Sequence, residues 1–326
     1  MQTHPSSRTS AGLAGLAAVA LVLTACTETP GVTEPDALQP PPLGFAKGDN
    51  AGLIAFADAR ETPGSTDIYV MNPDGTGVNR ITIGGALDTE PAWSPDGRRI
   101  AYTIRGGNLL SEADIHIMNS DGTGDTNLTG GQGRERYPAW SPKGSNGGLL
   151  AFASDLPGDE EIYTLEIGQP GWTRLTFSSG TDRMPSWSPD GKRIVFASDR
   201  SGDFELYVMN SDGTDVTRLT TFDGTDDYPA WSPDGRQIAF RRQLPAAGSE
   251  IFVMDVDGTN VTRLTFSDQP SYDPAWSPDG RQIAFVREVG ESEIFVMNAD
   301  GTGVAQLTNT GQTSIRPAWS SRRNPK

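Results

Sequence analysis

Six times along this chain a proline, a small residue, a tryptophan and a serine follow one another, with the tryptophans at 93, 140, 187, 231, 276 and 319. The intervals of 43 to 47 residues are those of β-propeller blades. A unit of that size buries little on its own, so copies must stack on one another. Stacking that leaves no open sheet edge closes into a ring.

Turn chemistry divides each unit into strands. Ser-Pro-Asp-Gly follows four of the tryptophans, at 94–97, 188–191, 232–235 and 277–280; its proline presets φ and its glycine permits a left-handed turn. Then comes a short apolar run with a small residue at its centre, as in Ile100-Ala101-Tyr102, Ile194-Val195-Phe196 and Ile238-Ala239-Phe240. The third element is Ile68-Tyr69-Val70-Met71 and its copies, rich in residues that pleated sheets favour. Asp-Gly at 74, 121, 212, 257 and 300 predicts a two-residue hairpin into a fourth strand, Arg218-Leu219-Thr220 and its equivalents. Four antiparallel strands make a blade.

Strand counting predicts how the ring closes. The domain opens on a second-type strand at Ile54 and ends on a first-type strand at Trp319. The economical solution pairs the C-terminal strand with the N-terminal three, leaving no edge unpaired. The expected fold is therefore all-β, a six-bladed propeller of four-stranded antiparallel blades over residues 50–320, followed by a basic tail at 321–326.

The segment before the repeats reads differently. Residues 1–10 are polar with one cation, Arg8, and 11–25 form an apolar run too short to span a membrane comfortably. Residues 1–25 are thus read as a signal peptide. Leu23-Thr24-Ala25-Cys26 resembles the bacterial lipobox, and Cys26 is the only cysteine of the chain, which favours lipidation over an incidental thiol. Residues 26–49, with Pro30, Pro35, Pro40, Pro41 and Pro42, read as an extended tether from that lipid. The chain is expected to be exported and anchored in the cell envelope, facing the periplasm or exterior, and Thr27 after the cysteine favours an outer membrane.

Composition limits the chemistry. A formal charge of −16 argues against a nucleic-acid partner, which needs a positive surface. With two histidines and one cysteine, most nucleophilic, redox and metal chemistry lacks its usual side chains. His116, in Ile115-His116-Ile117-Met118, stands where other units carry an aromatic and is read as its substitute. No Gly-x-Ser-x-Gly nucleophile elbow occurs. The acids that open each third strand, Asp67, Asp114, Glu161, Glu205, Glu250 and Glu293, are expected to accept hydrogen bonds within the blade, and Asp199-Arg200 to form a loop salt bridge.

Pro-Ala-Trp-Ser-Pro-Asp-Gly, Ile-Ala-Phe, Ile-Tyr-Val-Met-Asn-x-Asp-Gly and Leu-Thr together resemble the repeat of the TolB family, the WD40-like (PD40) propeller, over roughly residues 50 to 320. The resemblance implies the propeller fold. TolB itself carries an α/β domain ahead of its propeller and is soluble in the periplasm, whereas the signal, lipid site and spacer take that place here. The histidine-rich metal site of TolB-like oligogalacturonate lyases is not matched, nor is the hydrolase domain of prolyl oligopeptidases.

Function is sought where the units differ, just before each Pro-Ala-Trp, in loops expected at the mouth of the central channel. The candidate binding residues there are Asp88, Glu90, Arg136, Tyr137, Asp182, Arg183, Asp227, Tyr228, Tyr272, Asp273 and Arg316. Tyrosine and arginine at a concave mouth anchor peptides and small ligands. The leading expectation is a non-catalytic, monomeric module that binds a protein or peptide segment and needs no cofactor. An alternative is a receptor for a glycan or small ligand, assisted by calcium on Asp88, Asp182, Asp226 and Asp273, since oxygen ligands suit that ion. A carboxylate-based glycan-active enzyme is the third reading. In the third unit, residues 142–148 and 165–172 depart from the repeat, and Trp172 is either an exposed anchor or folded back on its blade.

Overall fold

The computed structural model describes residues 52–61, 64–106, 112–131, 133–142, 148–245 and 248–321. The signal segment, Cys26, the tether and the tail from 322 lie outside the described residues, as do 143–147 of the altered third-unit turn. The strands form six four-stranded antiparallel sheets, and the described residues contain no helix. Each sheet is one blade. Blade 1 is built from both ends of the repeat region: Ser314–Trp319 pairs with Ile54–Asp58, which pairs with Asp67–Met71 and then Asn79–Arg80. Ile54 lies opposite Trp319 and Ala55 opposite Ala318. The ring closes as the strand count requires.

Large residues of one blade pack on small ones of the next. Trp231, Ile238, Phe240 and Met254 of blade 5 lie against Val195, Ala197 and Leu206 of blade 4, and Ile54, Phe56 and Met71 of blade 1 lie against Ala284 and Val286 of blade 6. Phe56, Phe152, Phe196, Phe240 and Phe285 are fully buried, each contributing about 1.5–3 kcal/mol of transfer free energy. Several tryptophans also reach across the seam, with Trp140 Nε1 donating to the Ala92 carbonyl at 3.0 Å and Trp276 Nε1 to that of Ala230 at 3.2 Å.

The outermost strands are two residues long and are held by side chains. Arg174 donates to Glu161 and Arg263 to Glu250, each at 2.6 Å, while Thr220 and Thr265 donate to Glu205 and Glu250. The acids opening the third strands thus act inside their blades.

Two local expectations change, and the alternative left open for Trp172 is decided. The Asp-Gly segments are not two-residue hairpins: a turn bond from Gly75 N to the Asn72 carbonyl is followed by further residues before the strand at Asn79. The Asp74 carboxylate accepts from the Thr76 amide and hydroxyl at 3.0 and 2.6 Å, which stabilises the wider loop. Arg200 pairs with Asp182 at 2.6 Å rather than with Asp199, whose Oδ1 accepts from the Thr181 amide at 2.7 Å. Trp172 folds back, meeting Phe152 edge-on at 5.2 Å and Tyr163 at 6.1 Å.

Candidate functional site

The residues before each Pro-Ala-Trp are not loops but the start of the first strand of each blade. Proline has no N–H for the ladder, so an inner strand that contains one must break register at that point. All six first strands do so, for instance between Asp227 and Ala230 and between Tyr272 and Ala275. The residue before each proline takes a left-handed backbone conformation: Glu90 (φ 57°), Tyr137 (58°), Met184 (57°), Tyr228 (52°), Asp273 (52°) and Arg316 (60°). Such conformations cost about 1–3 kcal/mol each and persist where the surroundings impose them. Here they aim one side chain per blade at the axis. These six residues and the prolines after them line a cavity of about 180 Å³ at the channel mouth.

Ion pairs tie the ring together. Glu90 Oε1 accepts from Arg136 at 3.0 Å and Arg105 at 3.2 Å, and Glu90 Oε2 from the Thr103 hydroxyl at 2.8 Å and the Tyr137 amide at 2.9 Å. Burial opposes ionisation of this carboxyl, but Arg136, Arg316 and Arg105 outweigh it and hold the group at about 2. Around the ring, Arg316 of blade 1 donates to Asp273 of blade 6 and to the Tyr228 hydroxyl of blade 5, each at 3.0 Å. Burial pushes Asp273 up to about 6 against the attraction of Arg316 and Arg241. The two carboxyls differ because Glu90 collects several donors and Asp273 has this one. Asp227 is held bidentately by Arg241 at 2.6 Å on each oxygen, and Arg183 approaches it at 3.6 Å.

The sequence-derived candidates therefore separate. Glu90, Tyr137, Tyr228, Asp273 and Arg316 line the cavity, while Arg136, Arg183 and Asp227 belong to the ion pairs around it. Tyr272 turns into a neighbouring groove of about 310 Å³, lined also by Tyr228, Arg241, Gln243, Ser249 and Glu288, and shares a 2.7 Å hydrogen bond with Ser292. Asp88 and Asp182 are buried inside their blades, at 5% and 0% exposure. Asp182 is taken up by Arg200 and Asp226 by Arg242, and burial pushes Asp88 up to about 6. Asp88, Asp182, Asp226 and Asp273 thus sit in four separate blades and do not converge, and no group of three metal-ligating side chains forms among the described residues. His116 lies in the second blade with Nδ1 3.1 Å from Asp125 Oδ2, and the Tyr102 hydroxyl donates to Oδ1 of the same carboxylate at 2.8 Å.

Sequence reasoning missed Met184, which stands in the same column as Glu90 and Tyr137. It also missed Arg105 and Arg241, which arrive from the second strands at Arg99–Arg105 and Gln237–Leu244. The arginine after Ile238-Ala239-Phe240 was the available signal.

A model of the TolB beta propeller domain matches residues 111–244 and 219–325. The chain belongs to the TolB β-propeller domain family. Among solved structures it is similar to TolB from Acinetobacter baumannii, with 24% identity and a TM-score of 0.70 over 84% of this chain and 68% of that one. Hydrazine synthase from Kuenenia stuttgartiensis is similar at 17% identity and TM-score 0.69, over 86% of this chain and 48% of that one. A chain of the nidogen/laminin complex follows at 10% identity and TM-score 0.67, covering 83% and 99%. At these identities the likeness is one of fold, and a fold does not carry a function with it.

Proposed function

We propose that this propeller is a non-catalytic binding module of the cell envelope, held to a membrane by lipid on Cys26, whose channel mouth receives one side chain of a protein or peptide segment. The size of the cavity carries the reading. Small-molecule pockets occupy about 300–1,000 Å³, whereas the mouth offers about 180 Å³ between Tyr137, Met184, Tyr228 and the prolines. That volume suits a single large side chain whose parent chain stays outside. The same end of the ring carries exposed Leu156, Phe177, Phe266 and Val289 at 46–76% exposure, apolar surface that a docked protein would cover. Membership of the TolB domain family and the leader segment support export.

The mouth carboxylates support a structural use over a catalytic one, since Glu90, Asp227 and Asp273 are each bonded to arginine. A second reading, a receptor for a glycan or other small polar ligand, draws on the 310 Å³ groove beside Tyr272, which is within the small-molecule range.

Replacing Met184 and Tyr228 with alanine should abolish capture of a partner from detergent-solubilised envelope while circular dichroism still shows the folded ring. Capture that survives in the folded double variant would place the site elsewhere. Cys26→Ser should release the protein from the membrane fraction; continued membrane partition would contradict the lipid anchor.

A further inference from the structure

We infer that the segment received at the mouth carries a carboxylate next to its inserted side chain, and that the guanidinium of Arg183 binds it. This deepens the peptide-binding reading above and rests on it.

The mouth presents its cations and hides its anions. Glu90, Asp227 and Asp273 are 6%, 0% and 7% exposed, whereas the side chains of Arg105, Arg183 and Arg241 retain 30%, 24% and 22% exposure. An incoming group therefore meets guanidinium edges and not carboxylate oxygens. The chain as a whole carries −16, so cations exposed at the mouth are a local departure from its general charge.

Among those arginines Arg183 stands apart. Both oxygens of Asp227 are occupied by Arg241 at 2.6 Å, which leaves Arg183 with an ion-pair approach of 3.6 Å and no hydrogen bond among the described residues. Its Nε is buried without a partner. A guanidinium has five N–H donors in a planar fork matched to a carboxylate. The plane of Arg183 is fixed, because it stacks on Phe204 at 3.9 Å from the ring centroid. A preorganised fork loses little entropy on binding, and charge-assisted bidentate pairs are the strong class of hydrogen bond. Met184, the next residue, lines the cavity, so a carboxylate on Arg183 would flank a side chain inserted there. No other described carboxylate lies within ion-pair distance of Arg183.

The test uses the folded lipid-free chain and fluorescein-labelled pentapeptides, Gly-Glu-Leu-Glu-Gly, Gly-Gln-Leu-Gln-Gly and Gly-Lys-Leu-Lys-Gly, all C-terminally amidated, read by anisotropy. The glutamate peptide should bind, weaken with added salt, and lose at least about tenfold in affinity with Arg183→Gln. Arg183→Glu should reverse the preference toward the lysine peptide. Where the glutamine variant does not fold, Arg183→Lys, which keeps the charge without the fork, should give a partial loss. A fourth peptide, the glutamine sequence with a free C-terminus, assigns the carboxylate to a chain terminus if it alone matches the glutamate peptide.

The inference is overturned if the lysine or glutamine peptide binds the unmodified protein as well as the glutamate peptide does, if none binds, or if Arg183→Gln changes nothing. It is also overturned if an oligogalacturonate displaces the glutamate peptide at lower concentration, which would assign the site to an acidic glycan. Equal binding of all three peptides that Met184→Ala and Tyr228→Ala abolish would leave the peptide reading intact and remove only the carboxylate. Glutamate-peptide binding that survives both alanine changes would remove the two together.

Discussion

Glu135 offers a quantitative test of how this ring tolerates its buried acids. It occupies the position that Asp182 and Asp226 hold in the next two blades, where Arg200 and Arg242 neutralise them at 2.6 Å. In blade 3 Leu156 stands in the place of Arg200, two residues beyond the serine that faces the acid. Glu135 is left fully buried with a 3.0 Å hydrogen bond from Ser154 and no described cation in reach. Burial, aided by the charges of Asp114 and Asp155, pushes its carboxyl up to about 7 from an ordinary 4.5. That distance corresponds to about 3 kcal/mol at roughly 1.4 kcal/mol per pH unit. Because the folded state binds the proton more tightly, the contribution is complete below the unfolded pKa and is lost as pH rises through the folded one. Glu135→Gln removes the titration and keeps an acceptor for Ser154. Urea unfolding of both proteins near pH 4 should give similar stabilities, and near pH 8.5 the variant should be more stable by about 3 kcal/mol. A stability difference that is the same at both pH values would refute the argument, whatever its size.

Other outcomes follow from the same pairing. Arg242→Ala strands Asp226, which is fully buried and held on both oxygens, and should cost about 3–5 kcal/mol. Arg287→Ala, opposite Ser271 rather than an acid, should cost only about 1 kcal/mol from lost stacking; equal losses in urea unfolding would contradict the pairing. Ending the chain at Thr313 removes the strand that pairs with Ile54–Asp58, and the product should aggregate or migrate as an expanded species in size-exclusion chromatography; a compact monomer would show that closure is dispensable.

The ring was legible in the chain because a period of 43 to 47 residues and the mismatch between its first and last strands leave one closed arrangement. Trp319 opposite Ile54 is a consequence of that count. The mouth was legible only as a set of columns. A regular strand would put Arg183 and Met184 on opposite faces, but the break in register and the left-handed backbone at Met184 interrupt that alternation, so sequence does not say which side chains meet the axis. Pairing was less legible still. Arg136 meets Glu90 across 46 positions and Arg316 meets Tyr228 across 88, contacts set by the curvature of the ring. Of the four acids read as a rim for calcium, Asp182, Asp226 and Asp273 pair with Arg200, Arg242 and Arg316, and Asp88 is buried in its own blade.

Site-specific photo-crosslinking tests the central claim, that the channel mouth is where this propeller meets its partner. A photoreactive side chain at position 184 points into the cavity, and one at Val261, 40% exposed beside the Asp257-Gly258 turn at the other end of the ring, is the control. Protein adducts are expected in native envelopes from position 184 and none from 261. Adducts from 261 alone would contradict the claim.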